Sequence, residues 1–345
     1  MTTSPGADVA PPGHAVPGPG PAWFGAVMGT GILATLLQLH AVHVPAFGAV
    51  APAVLVLAWV LLLGLGAGFA RSIARDPAVW TRSIGEASML PLWGMVSMGL
   101  LAVGSGTFTV VDAHAPAFRT AALGVDAALW LVGTVLGLAT AAGFTYWLLT
   151  RRPAHPLPTW ALPLVPPMVT ATAGGALAAE LDPGPLRTAL VAVCAVAFVV
   201  ALTLGGGVIA VAYRHAWRRT PIPVALATST WIPLGILGQS TAAAQELAGP
   251  QLAAAARWYG VAAMAAGAAA GAFAAATTVR GFRARMPFHP GWWAMTFPLG
   301  TCALGAHHLE WWPVSLGILV ALCGTWSLCT VASLRAIRAS RSAAR

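Results

Sequence analysis

Charged side chains are scarce in this sequence. Only 8% of its 345 residues are Asp, Glu, Lys or Arg, whereas a soluble domain carries about 25%. Apolar residues make up 58% of the chain. Because so few charged groups cannot cover a water-facing surface, the composition predicts a polytopic membrane protein, with the lipid bilayer as its surroundings, rather than a soluble domain.

Lysine is absent, and all 18 basic residues are arginines. The net charge of +9 would suit a nucleic-acid-binding protein, but the arginines stand singly or in short groups between apolar runs. We therefore predict no nucleic-acid partner. Arginine without lysine, together with abundant Ala, Gly and Pro, indicates a GC-rich bacterial genome, so we expect the inner (cytoplasmic) membrane of a bacterium.

Motifs for covalent or metal chemistry are also lacking. The four cysteines, Cys194, Cys302, Cys323 and Cys329, lie inside apolar runs and form no CxxC pair. This placement predicts small buried side chains rather than a disulfide framework or a zinc site. We find no nucleophile elbow or phosphate loop, and no facing mid-membrane histidines suited to haem. We predict no enzyme activity, metal or cofactor, with a membrane-embedded enzyme or redox protein as the less favoured alternative.

The two ends of the chain differ from the rest. Residues 1–20 are rich in Pro and Gly and contain no arginine, which predicts a disordered cytoplasmic tail. They lack the charged and apolar regions of a signal peptide, so we expect the first apolar helix to be retained. The transmembrane domain is predicted over 21–338, and 339–345 form a basic cytoplasmic tail.

Apolar runs long enough to cross a bilayer fill the remaining sequence, and each has about 20 residues or more. We count ten such runs, which predict an all-α fold with ten transmembrane helices. They cover residues 22–39, 47–70, 87–110, 120–149, 158–179, 187–213, 221–244, 253–279, 288–308 and 312–335.

The arginines are distributed unevenly between these runs. All except Arg119, Arg187 and Arg257 lie in one set of alternate connections or in the C-terminal segment. If the number of runs were wrong, arginine-rich and arginine-poor connections would not alternate in this way, so the distribution supports ten runs. The positive-inside rule then places the arginine-rich connections and both termini in the cytoplasm.

Odd-numbered and even-numbered runs differ in their helix-breaking residues. Pro91, Pro166, Pro233 and Pro298 recur at similar intervals in runs three, five, seven and nine, and residues 28–31, with two glycines, take this place in run one. Even runs contain few such residues. The pattern predicts five parallel helical hairpins, whose odd helices form an inner ring around a central pore.

The predicted pore suits an anion. A proline inside a helix starts a new half-helix, and the N-terminal end of that half-helix carries positive partial charge. We expect small, hydroxyl or proline residues of the odd helices to line the anion path, although each hydroxyl has an interhelical hydrogen bond as its alternative role. These residues are Gly29, Thr30, Gly31, Pro91, Ser97, Pro166, Pro167, Thr170, Thr172, Pro233, Gln239, Ser240, Thr241, Pro298 and Thr301.

Four further residues have candidate roles. Phe297 lies beside the Pro298 break and is a candidate plug, or gate, for the pore. Asp126 is the deepest ionisable residue and a candidate for proton coupling, unless it pairs with Arg119, seven residues earlier, or snorkels to the interface. His307 and His308 end the ninth run, where they would form an outer anion vestibule, a pH-sensitive group or merely a solvated helix end.

Two stretches carry a resemblance to a known family. Residues 23–32, Trp-Phe-Gly-Ala-Val-Met-Gly-Thr-Gly-Ile, and residues 292–301, Trp-Trp-Ala-Met-Thr-Phe-Pro-Leu-Gly-Thr, resemble the tellurite-resistance/dicarboxylate transporter family. That family includes slow-type anion channels, malate permeases and sulfite efflux pumps. The similarity covers roughly residues 20–335.

The resemblance implies a fold and a function. Members have five helical hairpins around a central pore and form homotrimers with one pore in each protomer. Phe297 occupies the position of a pore-occluding phenylalanine, and the Met-Gly-Thr-Gly motif is similar to the malate and sulfite branch. We therefore expect transport of a small anion, either a C4-dicarboxylate such as malate or sulfite. A proton-coupled dicarboxylate carrier on the same fold is the alternative.

Overall fold

The computed structural model describes residues 17–151 and 155–343. Every regular element in these ranges is a helix. Most of the predicted N-terminal tail, residues 1–16, lies outside the described residues, as do residues 152–154 and 344–345. Within the predicted C-terminal tail, the last helix continues to Ala343.

Twelve α-helices follow one another along the described chain. They are α1 (Phe24–Leu39), α2 (Pro45–Arg75), α3 (Ala78–Gly85), α4 (Trp93–His114), α5 (Arg119–Arg151), α6 (Pro166–Ala179), α7 (Pro185–Val200), α8 (Gly206–Arg218), α9 (Ile232–Leu247), α10 (Ala253–Arg283), α11 (Thr296–His308) and α12 (Trp312–Ala343). A π-helical turn, Ala201–Gly205, joins α7 to α8 in one long helix. The short α3 lies in a connection where the apolar pattern predicted no element.

Eight helical segments of the described chain are long and apolar enough to cross a membrane, so this is a multi-pass membrane protein. The predicted seventh and ninth runs, which contain α9 and α11, are not among these eight. Both segments are enclosed by protein, and residues 227–236 and 292–303 are buried throughout. A helix that does not face lipid can carry polar residues, which lowers its mean hydropathy.

The prolines of the odd runs mark a change of helix type. A 3₁₀ segment precedes α6, α9 and α11, covering Pro158–Leu164, Val224–Trp231 and Pro290–Met295 respectively. Pro166 is the first residue of α6, and Pro233 is the second residue of α9. Proline is tolerated there because its missing N–H has no partner in the first turn of an α-helix. The backbone stays helical through each junction, so each segment changes from 3₁₀ to α-helix without unwinding.

Five helices make a closed ring. Helix α1 contacts α4, α4 contacts α6, α6 contacts α9, α9 contacts α11, and α11 contacts α1. The segments containing α1, α4 and α6 are 83%, 67% and 94% buried, whereas those containing α2, α5 and α10 are each 28% buried. The ring therefore lies inside, and the longer, more apolar helices surround it.

The ends of the helices collect at two opposite faces. The C-terminal ends of α1 and α11 meet where His40 and His307 lie with ring centroids 5.8 Å apart, and we call this face the histidine end. The C-terminal parts of the outer helices pack on the 3₁₀ segments, as in the contact of Trp147 with Trp160. Most arginines come directly after the C-terminal parts of the outer helices in the sequence, and we therefore call this opposite face the arginine end.

Candidate functional site

A cavity of about 190 Å³ lies inside the ring, and all five ring helices contribute to its walls. It extends along α11 from Phe297 to His308, a rise of roughly 16 Å at 1.5 Å per residue. Its volume is that of roughly six water molecules at about 30 Å³ each. The polar residues of its lining are Thr35, Ser105, Thr109, Thr172, Gln239, Glu246, His307 and His308.

Phe297 lies between this cavity and a second, much smaller space. Its side chain is 2% exposed and contributes to the lining of both. The second space, about 10 Å³, is lined by the ring segments on the side nearer the arginine end, including Met28 and Met98. Those two methionines are each 1% exposed. The phenyl ring of Phe297 and the flexible side chains of Met28 and Met98, on its arginine-end side, therefore fill the axis of the five-helix ring at this depth.

Three threonines of the cavity donate their protons to backbone carbonyls. Thr35 Oγ1 and Thr109 Oγ1 donate to the carbonyl oxygens four residues earlier at 3.3 and 2.8 Å. Thr172 Oγ1 donates across to Gln239 O on α9 at 3.1 Å. A hydroxyl has one proton, so these groups offer lone pairs to a ligand. The side chain of Ser105 makes no hydrogen bond within the described residues, so its hydroxyl proton is available to a ligand.

Gln239 is the amide side chain of the cavity. It is 3% exposed, and its Oε1 atom is buried with no hydrogen-bond partner among the described residues. An unsatisfied buried acceptor costs about 1–3 kcal/mol. Gln239 lines the cavity, but this oxygen has almost no accessible surface, so a ligand in the cavity reaches it only if the side chain moves.

Ionisable groups lie at the histidine end of the cavity. His308 Nε2 is 3.4 Å from Glu246 Oε1, and both side chains are largely buried. His307 lies beside His308, with ring centroids 5.8 Å apart. Neighbouring His40 is held by Ser315, since its Nε2 lies 2.7 Å from the serine Oγ. No arginine is present in the cavity lining within the described residues.

Most of the residues predicted to line the anion path lie outside the cavity lining. The cavity lining includes five predicted residues, Phe297, Thr172, Gln239, His307 and His308. Pro298 lines the small space on the other side of Phe297. The structure places the other predicted residues in the packing between helices. They are Gly29, Thr30, Gly31, Pro91, Ser97, Pro166, Pro167, Thr170, Pro233, Ser240, Thr241 and Thr301.

The hydroxyls among these residues already have partners. Thr30 Oγ1 donates to Ala26 O at 2.7 Å and accepts from Trp326 Nε1 at 2.9 Å. Ser97 Oγ donates to Gly133 O at 2.6 Å. The remaining ones are bonded similarly: Thr170 to Thr134, Thr301 to Leu234 O and Pro298 O, and both Ser240 and Thr241 to Leu237 O. Their polar groups stabilise the contacts between helices.

The glycines allow helices to approach closely. A Cβ atom on Gly29 would lie 2.2 Å from Thr296 Oγ1, and one on Gly31 would lie 2.9 Å from the backbone of Ala102. Each glycine therefore brings α1 against a neighbouring ring segment, α11 or α4. Small residues at such contacts are typical of packed transmembrane helices.

Asp126 is buried in the packing between α5 and α4. Its side chain is 3% exposed, and Oδ1 has no hydrogen-bond partner among the described residues. The carboxylate faces Gly104, where a Cβ atom would lie 2.6 Å from Oδ1. Arg119, which the sequence offered as a partner, pairs instead with Asp112 at 2.8 Å and with Glu180.

Sequence reasoning missed Thr35, Ser105 and Thr109 because it concentrated on residues close to the prolines. The cavity lies further along the ring helices, toward the histidine end. Its residues on α4 are 101, 102, 105 and 109, and those on α6 are 169, 172, 173 and 176. Spacings of three and four residues define one helix face, and small polar residues repeated on that face were a signal in the sequence.

Within the described part of the chain, no group of three or more His, Cys, Asp or Glu side chains is arranged to hold a metal ion. The histidine rings at the histidine end contact one another edge-on or tilted, and His43 stacks on Trp312 at 4.5 Å. The arrangement offers ring N–H groups and ring nitrogen lone pairs to a solute.

Comparison with known proteins agrees with this geometry and confirms the family resemblance. The family model for the voltage-dependent anion channel matches residues 20–334. A sulfite efflux pump of Arthroderma otae is 27% identical over 303 residues, covering 81% of this chain and 78% of that protein. A sulfite efflux pump of Trichophyton rubrum is 26% identical with the same coverage. The match takes in every ring helix and the cavity, and the chain belongs to the voltage-dependent anion channel family.

Proposed function

We propose that this protein carries small anions through the cavity of the five-helix ring, with Phe297 as the gate. The observation that carries the proposal is the position of Phe297 between the 190 Å³ cavity and the 10 Å³ space. A solute that travels along the axis of the five-helix ring must displace the phenyl side chain of Phe297. Membership of an anion channel family supports anions as the solutes.

The proposed architecture has ten spans arranged as five parallel hairpins. Eight spans are long and apolar enough by themselves. We count the segments containing α9 and α11 as the ninth and tenth, because both belong to the same ring as α1, α4 and α6. We further propose that the protein lies in a bacterial inner membrane with both termini in the cytoplasm, and that it assembles as a homotrimer. Each protomer contains its own ring and cavity, so transport does not require the subunit contacts.

Sulfite is the substrate we favour, ahead of a C4-dicarboxylate such as malate. The most informative support is that several relatives matched over most of their length are sulfite efflux pumps. The cavity has room for either kind of solute. Its lining has polar groups on all sides and no arginine pair for two carboxylates, which favours a small anion with a single centre of charge.

Flux measurements with Phe297→Ala test the gate. We expect the variant to raise sulfite flux into proteoliposomes by about tenfold or more, which requires the barrier to fall by only about 1.4 kcal/mol. Leu299→Ala is the matched control because Leu299 lies on the same helix but faces the lipid-side groove lined by Met264. Equal flux for wild type and Phe297→Ala, with both proteins folded, contradicts the gate.

Asp126 supports a second candidate, a proton-coupled carrier. A buried carboxylate with an unpartnered oxygen inside a membrane helix is costly, and such groups commonly serve proton transfer. In this case Asp126→Asn abolishes uptake driven by a pH gradient, while Asp112→Asn, which removes a half-exposed carboxylate, leaves it intact. A Phe297-gated pore without proton coupling tolerates both substitutions. The two candidates therefore give different results in one transport assay.

A further inference from the structure

We propose that a groove on the outer surface, between α8 and α10 at the arginine end, binds one anionic phospholipid. Arg214 and Arg218 hold its phosphate head group, and the groove holds an acyl chain. We call this surface the arginine groove. The inference concerns the lipid-facing side of the protein, so it does not depend on the proposed transport function.

The arginine groove has the length of one acyl chain. Its volume is about 620 Å³, and its walls are formed by α8 over 209–218 and by Ala269 and Phe273 of α10, with Leu237 of α9 between them. The helical segments containing α8 and α10 are only 22% and 28% buried, so the groove faces lipid. Ten residues of α8 give a rise of roughly 14 Å, close to one leaflet, which is half of a hydrocarbon core of about 30 Å.

Two arginines give this groove a charge that suits an anionic head group. Arg214 and Arg218 both line it, and no carboxylate does so within the described residues. Neither arginine forms an ion pair in that part of the chain. They are four residues apart and therefore lie on one face of α8. Guanidinium groups bind phosphate oxygens through charge-assisted hydrogen bonds, and basic pockets between transmembrane helices bind lipid head groups in this way.

Trp217 indicates that these arginines lie at the depth of the head groups. It is 72% exposed on a lipid-facing helix, and tryptophan is enriched at the membrane–water interface. The rings of Tyr213 and Phe273 lie beside it, with centroids 6.0 and 6.3 Å away. Tyr213 Oη also donates to Thr230 O at 3.0 Å. These contacts hold α8 in place beside α10, so the groove is formed without a lipid.

A second groove, on a different face of α10, provides a comparison. Its volume is about 510 Å³, and no charged residue lines it within the described chain. An acyl chain fits there too, but nothing in that groove selects a head group. Ala268 lines this second groove, whereas its neighbour Ala269 lines the arginine groove. A phenylalanine at either position therefore fills one groove and leaves the other open.

The test measures lipid binding to the full-length protein in detergent by native mass spectrometry, with phosphatidylglycerol or phosphatidylcholine of the same chain length as the probe. We expect the wild-type protein to bind phosphatidylglycerol more tightly. Replacing both arginines, Arg214→Gln with Arg218→Gln, should weaken phosphatidylglycerol binding about tenfold. Ala269→Phe should also weaken it, because the added ring occupies the place of the acyl chain.

Two controls match these variants. Arg280→Gln with Arg283→Gln removes two charges from the C-terminal end of α10, outside the groove lining. Ala268→Phe adds the same ring to the second groove. Both should bind phosphatidylglycerol as the wild-type protein does.

A preference for phosphatidylglycerol that is lost in the groove variants alone supports the proposal. Equal binding of the two lipids by the wild-type protein overturns it, and this result does not depend on the folding of any variant. Equal weakening in the Arg280 and Arg283 control overturns it by showing attraction to surface charge in general. Unchanged binding in folded Ala269→Phe overturns the seated acyl chain. If Ala269→Phe alters the number of subunits but not the bound lipid, the groove is a contact between copies of this chain, and the proposal is wrong.

Discussion

Single glycines determine how closely the ring helices approach. A Cβ atom on Gly238 of α9 would lie 2.4 Å from the carbonyl carbon of Thr301 and 2.5 Å from the nitrogen of Cys302 on α11. Both of these are backbone atoms, which cannot rotate away. Close packing of this kind also brings Thr301 Oγ1 within 3.1 Å of Leu234 O. The narrow axis around Phe297 therefore depends on residues that do not face the cavity.

Gly238→Ala tests this dependence. Overpacking of a tight contact costs about 1–3 kcal/mol, so we expect a lower midpoint of thermal unfolding in detergent for this variant. The control is Gly235→Ala, on the same helix, where the added Cβ atom would lie 3.4 Å from a Val165 methyl group, an ordinary contact. Equal midpoints for the two variants would show that α9 and α11 adjust without strain.

At the scale of helices, tryptophans of the outer helices bind to the ring. Trp59 on α2 donates to Thr107 Oγ1 at 3.0 Å, and Trp130 on α5 donates to Thr170 O at 3.0 Å. Trp326 on α12 donates similarly to Thr30 on α1. A polar group in a membrane interior needs a partner. The three indoles thus fix the rotation of each outer helix against its ring helix.

Thr30→Val separates this structural role from the anion-path role predicted for Thr30. The substitution removes the acceptor of the Trp326 indole and should lower the free energy of unfolding by about 1–2 kcal/mol, with the order of anion fluxes unchanged. Thr30→Ser keeps the hydroxyl and should retain most of the stability. A changed anion order in folded Thr30→Val would instead place this hydroxyl on the path.

The sequence predicted the elements better than the site. Proline and glycine identified the odd runs because a helix enclosed by protein tolerates breaks that a lipid-facing helix does not. The same residues did not identify the cavity lining, since Thr30, Ser97 and Thr301 satisfy their hydroxyls in neighbouring helices. Which hydroxyl finds a protein partner depends on the rotation of each helix, and one sequence does not specify that rotation.

At the scale of the whole molecule, charge differs between the two ends. At the histidine end, Arg119 pairs with Asp112 at 2.8 Å, and Arg257 lies 3.5 Å from Glu310. The arginine end has many more basic groups, and among its described arginines only Arg82 pairs with a carboxylate, that of Asp76, at 2.8 Å. Uncompensated positive charge raises the local concentration of anions. We therefore expect anions to enter preferentially at the arginine end, and the side of the membrane that this end faces would then determine which anions enter.

Labelling of single introduced cysteines tests the proposed orientation. Asp182 lies exposed in the connection between α6 and α7 at the histidine end, and Ser342 lies exposed near the end of α12. In intact cells, a membrane-impermeant maleimide should label Asp182→Cys, and it should label Ser342→Cys only after permeabilisation. The unsubstituted protein is the control: Cys194, Cys302 and Cys329 are buried, and any labelling of the half-buried Cys323 is measured there and subtracted. This result places the arginine end in the cytoplasm, where its charge collects anions for export. The reverse pattern would place it outside, where the same charge favours uptake, and would contradict a sulfite efflux role.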